Sequence, residues 1–154
     1  MRKITLLIIA LSFTCFVQAQ NKTSFNFTFN HIALSVKDVD RSIDFYKKVL
    51  NLKEITNRTK IEGIRWLSLG EDKELHLISI LNEPFTINKA IHLGLTTPNF
   101  GAFIKRLELL KINYSDWPGT PSTVNKRADG VKQIYFQDPD SHWIEINNIG
   151  QSKN

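Results

Sequence analysis

Cysteine is almost absent from this chain: the 154 residues contain one, Cys15, near the N-terminus. The rest of the chain therefore has no disulfide, no thiolate metal ligand and no thiol nucleophile. Long apolar runs are missing too. The longest, TLLIIALSFTCF at residues 5–16, is too short to span a bilayer comfortably. Charge of one sign is concentrated nowhere, because 20 Lys and Arg are scattered among 15 Asp and Glu. With no basic stripe and no interleaved aromatic platform, a nucleic-acid partner is excluded.

The first segment reads as an export signal. Arg2 and Lys3 precede the apolar run, and Val17 and Ala19 supply small residues for cleavage after Ala19. Thr14, before Cys15, is larger than the residue that normally precedes a lipidated cysteine, which disfavours a lipoprotein. The expectation is an exported protein, periplasmic or secreted, with no membrane contact once residues 1–19 are removed. What remains is 135 residues carrying 18 basic and 15 acidic side chains, a formal charge of +3. That length suffices for one domain with a proper core and is too short for two.

After an N-terminal extension at residues 20–29, the chain reads as one unit used twice. HIALS begins at His31 and is followed by VDRSIDFYKKVL, whose apolar Val39, Ile43, Tyr46 and Leu50 recur at helical spacing. Asn51 suits a left-handed C-cap before KEIT, and strands around IRWLSL and ELHLISI follow, with Gly70, Glu71 and Asp72 as the turn. The plan is βαβββ over residues 30–81. A connector with Pro84 spans residues 82–90, and the plan restarts over residues 91–149. IHLGLTT is a strand, Thr97 and Pro98 are the expected helix start, and the helix runs to about Lys111. A short strand is expected near INYS, then a polar loop from Asp116 to Asp129. VKQIYFQ and HWIEINN close the unit as a hairpin across DPDS, leaving residues 150–154 as a frayed tail.

Alternation along the strands gives the ligand-type residues a direction. His31 shares its face with Ala33 and Ser35, and His92 shares its face with Gly94 and Thr96, while the aliphatic residues point the other way. His76 lies opposite Leu75 and Leu77, and Glu145 lies opposite Ile144 and Ile146. The aliphatic faces must cover helices, so the small, polar faces can line a cavity. His31, His76, His92 and Glu145 are thus the candidate metal ligands, with Glu74, on the same face as His76, an alternative to it. A buried Glu145 needs a compensating charge, which a divalent cation supplies. Three imidazoles and a carboxylate suit one divalent ion among Zn, Ni, Co, Fe and Mn without choosing among them. Trp66, Tyr135 and Trp143 fall on strand sides that can line the cavity and bind an apolar or ring-bearing small molecule. His142 is one residue off the face of Glu145 and is assigned no chemistry.

HIALSV followed by DRSIDFYKKVLNLKE, together with FQDPDSHWIEI, resembles the vicinal oxygen chelate superfamily, whose members include glyoxalase I, fosfomycin resistance proteins, extradiol dioxygenases and bleomycin-binding proteins. The family usually has glycine where this chain has Ser141. The resemblance implies an α+β fold in which two βαβββ modules form a half-open barrel around a metal held by His31, His76, His92 and Glu145. It implies Lewis-acid chemistry on a small oxygenated substrate, with Glu145 as ligand and catalytic base. A filled set of four ligands points to a lyase or isomerase of the glyoxalase I type. An extradiol-type dioxygenase, a fosfomycin-type transferase and a non-catalytic, antibiotic-sequestering module are the alternatives. Export runs against a glutathione adduct as substrate, because glutathione belongs chiefly to the reducing cytosol. The modules can pair within one chain or be exchanged between two copies in a homodimer.

Overall fold

A computed structural model describes residues 26–80 and 86–150. The signal segment, residues 20–25 of the extension, residues 82–85 of the connector and the tail beyond Gly150 lie outside the described residues. Among the described residues, no helix is long and apolar enough to cross a membrane.

The first unit is built as β1 (His31–Ser35), α1 (Val39–Leu50), β2 (Lys53–Ile55), β3 (Ile64–Gly70) and β4 (Lys73–Ile78). Helix α1 forms where its ends are satisfied as well as its apolar face. The Asp38 carboxylate accepts from the amides of Asp40 and Arg41, and Asn51 takes the left-handed conformation at φ 57° to stop the helix. At the β3–β4 turn Gly70, Glu71 and Asp72 all have positive φ, at 88°, 49° and 58°. Glycine opens a bend that the two acidic residues continue.

The second unit is β5 (His92–Thr96), α2 (Phe100–Leu109), β6 (Asn125–Lys126), β7 (Lys132–Gln137) and β8 (Trp143–Asn147). Two local expectations are corrected here. Helix α2 starts at Phe100, capped at Asn99, rather than at Pro98. The Thr97 hydroxyl accepts from the Asn99 amide at 3.2 Å, closing a local turn that delays the first helical bond to Phe103 N–H on Asn99 C=O at 2.9 Å. The INYS strand is reduced to isolated bridges from Ser115 to Pro121 and Tyr135. The outer strand of the sheet is instead β6, inside the segment expected to be loop, which still completes a second βαβββ unit.

Each unit makes one open four-stranded sheet, ordered β1-β4-β3-β2 and β5-β8-β7-β6, with the first strand parallel to the last in each. The aliphatic faces of both sheets and the inner faces of α1 and α2 share one core, including Ile43, Leu67, Leu75, Leu77, Leu107, Ile134 and Ile144. Each such side chain contributes about 1.5–3 kcal/mol by leaving water. Polar bonds pin the units together through the same layer: Ser42 Oγ donates to Asp140 at 3.1 Å, Tyr46 O–H donates to Asp138 at 2.9 Å, and Arg106 donates to the Val49 carbonyl at 2.9 Å. The helices and the β7–β8 turn thus seal the aliphatic faces inside one chain. The opposite face of each sheet carries the ligand-type residues.

Candidate functional site

On the second sheet His92 and Glu145 form a pair. The His92 Nδ1 faces the Lys89 carbonyl at 2.9 Å; a carbonyl only accepts, so Nδ1 carries the proton and Nε2 is left with its lone pair. That Nε2 lies 3.3 Å from Glu145 Oε2. Two acceptors face each other, which is unfavourable unless a proton or a cation stands between them. Donors of one divalent transition ion, each at about 2.0–2.2 Å, stand about 3 Å apart, so the pair fits a metal.

Glu145 is buried and surrounded by donors. Tyr135 O–H donates to Oε2 at 2.6 Å and Asn147 donates to Oε1 at 2.8 Å. Burial pushes its carboxyl up, but the bonds from Tyr135, Asn147 and Gln133 prevail and hold it below the ordinary value. The Tyr135 phenol is pushed up by burial and by Glu145, so it remains a donor.

On the first sheet His31 and His76 stack, with ring centroids 4.3 Å apart and planes at 14°. The His31 Nδ1 meets Asn30 Oδ1 at 2.7 Å, leaving Nε2 free. His76 Nε2 meets Glu74 Oε2 at 2.8 Å. The bond from His76, then that from Arg58, holds the Glu74 carboxyl below its ordinary value, and an ionised carboxylate only accepts. His76 therefore donates through Nε2 and keeps its Nδ1 lone pair for a ligand. This is the arrangement of a metal-binding histidine oriented by an outer carboxylate.

Register favours His76 over Glu74 as the second ligand. In the first sheet Ala33, two residues after His31, is partnered with His76; in the second, Gly94, two residues after His92, is partnered with Glu145. His76 and Glu145 are thus equivalent, whereas Glu74 is equivalent to Trp143. The structure brings the four candidates together as two pairs. Among the described residues no group of three or more His, Cys, Asp or Glu side chains is placed to hold a metal ion. Strand alternation gives the face of a sheet, and one lining surface for all four requires the two faces to meet.

The three aromatic candidates neighbour these pairs, and Trp66 and Tyr135 are at the same time buried among the core residues. Trp66, partnered with His76 across β3–β4, stacks on it at 4.1 Å with planes at 6°. Its indole Nε1 is buried without a hydrogen-bond partner. Tyr135 occupies the equivalent place beside Glu145, and Trp143 is partnered with His92. Tyr135 and Trp143 also line a cavity of about 520 Å³ with Tyr114, Ser115 and Pro121. His142 is bound into the β7–β8 turn, its Nδ1 at 2.9 Å from Asp138.

Sequence reasoning missed Asn30, Arg58, Lys89 and Trp117. Arg58 lies over the Trp66 ring at 4.7 Å, and Trp117 stands 6.2 Å from the His92 ring. All four lie outside the ligand-bearing strands, where no periodicity marks them; the nearest signal was the polar loop from Asp116 to Asp129, which contains Trp117.

The comparisons with known proteins agree with this architecture. The family model described as Glyoxalase/Bleomycin resistance protein/Dioxygenase superfamily matches residues 28–146. Metallothiol transferase FosB of Staphylococcus saprophyticus is 30% identical over 125 residues, covering 76% of this chain and 74% of that protein. Glyoxylase I 4 of Arabidopsis thaliana is 32% identical over 127 residues, covering 77% of this chain and 69% of that protein. Among solved structures, lactoylglutathione lyase from Agrobacterium tumefaciens superposes with a TM-score of 0.61 at 18% identity, over 79% of this chain and 93% of that one. At that identity the likeness is one of fold.

Proposed function

The chain belongs to the glyoxalase/bleomycin resistance protein/dioxygenase superfamily, and from that premise we propose that it is an exported, metal-dependent lyase or isomerase of the glyoxalase I type acting on a small oxygenated substrate. The observation that carries the reading is the equivalence of the two pairs, each with an imidazole at the start of one strand and a ligand at the same register on the next. His31, His76, His92 and Glu145 would hold one divalent ion, which when bound supplies Lewis-acid stabilisation of an oxyanion. Asn30, Glu74 and the Lys89 carbonyl orient the three imidazoles. Tyr135 and Trp143 offer ring faces to an apolar part of the substrate.

Glu145 is assigned as ligand first. Its carboxyl is held low by its donors, which favours an ionised ligand and makes it a weak base unless Tyr135 lets go. When it does act as base, Oε2 is the atom that takes the proton.

The four ligands meet when the first sheet of one copy faces the second sheet of another. The sealed aliphatic faces support this, because closing the two pairs within one chain would break the shared core and the bonds from Ser42, Tyr46 and Arg106. The FosB relatives, at 30% identity, favour a metal-dependent thiol transferase as the second reading.

Elemental analysis of the purified mature protein tests the proposal, with His31→Ala and Glu145→Gln alongside. A divalent metal in the wild type and its loss in both variants is expected; a wild type that binds no divalent metal defeats it and leaves a binding module. On the loaded protein, turnover of α-ketoaldehyde–thiol adducts supports the lyase. Thiol addition to epoxides in its place supports the transferase, and ring cleavage of catechols supports a dioxygenase.

A further inference from the structure

The Lys89 side chain has no place in the ligand set, yet it is the most enclosed cation near the second pair. Its ammonium lies 4.6 Å from the Tyr135 ring centroid, 4.7 Å from that of Trp143 and 5.8 Å from that of Trp117. It donates to Ser115 Oγ at 3.2 Å, to the Asp116 carbonyl, and to the Trp117 carbonyl at 3.0 Å. An ammonium has three donors, and all three are used inside a cage of three rings. Lys89 is therefore not available to bind a substrate anion. Its bonds all fall on one short segment.

That segment is otherwise anchored at its ends. Ser115 exchanges two backbone bonds of 2.9 Å with Tyr135, and Ser122 N–H donates to the Tyr114 carbonyl at 2.8 Å. Between them the Asp116 carboxylate accepts from Gly119 and Thr120 to form a tight turn. Trp117 projects from this turn, nearly half exposed, with its ring 5.4 Å from Tyr135 and 6.2 Å from His92. An indole so exposed stays against the pair only if its backbone is held there.

Resting on the reading of His92 and Glu145 as half of the site, we propose that Lys89 is a positioning residue that seats the Ser115–Trp117 segment as a wall beside that pair, with Trp117 limiting what reaches it from that side. The wall is suited to a flat, ring-bearing ligand, since Trp117, Tyr135 and Trp143 present it with aromatic surface. Its position depends on a cation in the cage rather than on packing alone.

Amide hydrogen exchange on the full mature protein tests this, with Lys89→Met, which keeps the bulk without the charge, and Lys89→Ala. Exchange over residues 115–120 is expected to speed up about tenfold or more in both variants, with the rest of β7 and β8 unchanged. Adding n-propylammonium, which replaces the atoms Lys89→Ala lacks, is expected to slow exchange in Lys89→Ala to within about twofold of wild type, while n-propanol leaves it fast. Unchanged exchange in both variants, or equal rescue by propanol, overturns the proposal. Titration with divalent ions separates it from the metal reading. A wild type that binds neither zinc nor any of Ni, Co, Fe and Mn sinks the metal reading while the exchange experiment still decides on Lys89.

Discussion

Consider His31→Ala and Glu145→Gln, which each remove one ligand from a different half of the proposed site. Either variant alone leaves every site one ligand short, and the expected loss of zinc affinity is at least about 100-fold, beyond the 10–100-fold typical of an outer-sphere partner. Now let equal amounts be unfolded and refolded together. If the halves come from different copies, about half of the dimers are mixed. One of the two sites in a mixed dimer takes both defects, and the other takes none. Tight zinc sites should therefore return to about one quarter of the wild-type number. The control is His31→Ala mixed with His76→Ala. Both defects lie in the same half, every site in every dimer is impaired, and nothing returns. Zinc retained after gel filtration, measured by elemental analysis, reads the result directly. No recovery in the first mixture, with wild type refolded in parallel regaining its zinc, refutes assembly between copies. It would mean that the two pairs close within one chain.

Three other outcomes follow from local geometry. His76→Ala should lower zinc affinity by more than about 100-fold and Glu74→Gln by about 10–100-fold; the reverse order, measured by competition with a chelator, would make Glu74 the ligand. Ser141 has a φ of 71° in the β7–β8 turn, a conformation that costs a side chain of this kind about 1 kcal/mol or more, so Ser141→Gly should raise stability by about 0.5–1 kcal/mol and the melting temperature by about 2–5 °C. A lower melting temperature would show that the turn is not strained. Arg65 bonds Glu54 twice, at 2.7 Å each, and the bond from Arg65 holds the Glu54 carboxyl below its ordinary value. A depressed carboxylate stabilises the fold above its unfolded pKa and loses that contribution as pH falls through its folded one. Arg65→Gln should therefore cost about 0.5–1 kcal/mol at pH 7 and much less at about pH 3, by urea unfolding; an equal deficit at both pH values would rule out this pairing as the source.

The fold was legible wherever a local signal and a tertiary demand agreed. The four-three-four spacing from Val39 to Leu50 and Asn51 bound α1 in the sequence, and the helix occupies those residues. The DPDS turn was equally plain. The second unit departs from expectation where the signals are weak. Thr97 and Pro98 look like a helix start, but the threonine hydroxyl is used two residues on, in a turn that shifts the cap to Asn99. INYS alternates Ile112 and Tyr114 with polar residues, yet only Ser115 bridges to β7, and the outer strand position falls to Asn125 and Lys126, two polar residues that no strand propensity would choose. Edge pairing of this kind is decided by where the neighbouring strand leaves its backbone groups unpaired, which is a property of β7 rather than of the segment that joins it.

The candidate site divides along the same line. Alternation with period two fixes which face of a strand a residue takes, so it could orient His31, His76, His92 and Glu145 within their own sheets. It says nothing of how two sheets face each other. That depends on what occupies their other faces, and here the deciding contacts join residues far apart in sequence: Ser42 with Asp140, Tyr46 with Asp138, Arg106 with the carbonyl of Val49. Each is polar, each is in the layer between the units, and none leaves a periodic trace. Those contacts commit one chain to sealing its aliphatic faces, and on the proposed reading the same commitment leaves each ligand pair as half of a site. A lone pair on His92 facing a carboxylate at 3.3 Å is an arrangement that asks for a cation. Two ligands seldom hold one tightly, so the stability of the metal site and the association of two copies should rise and fall together.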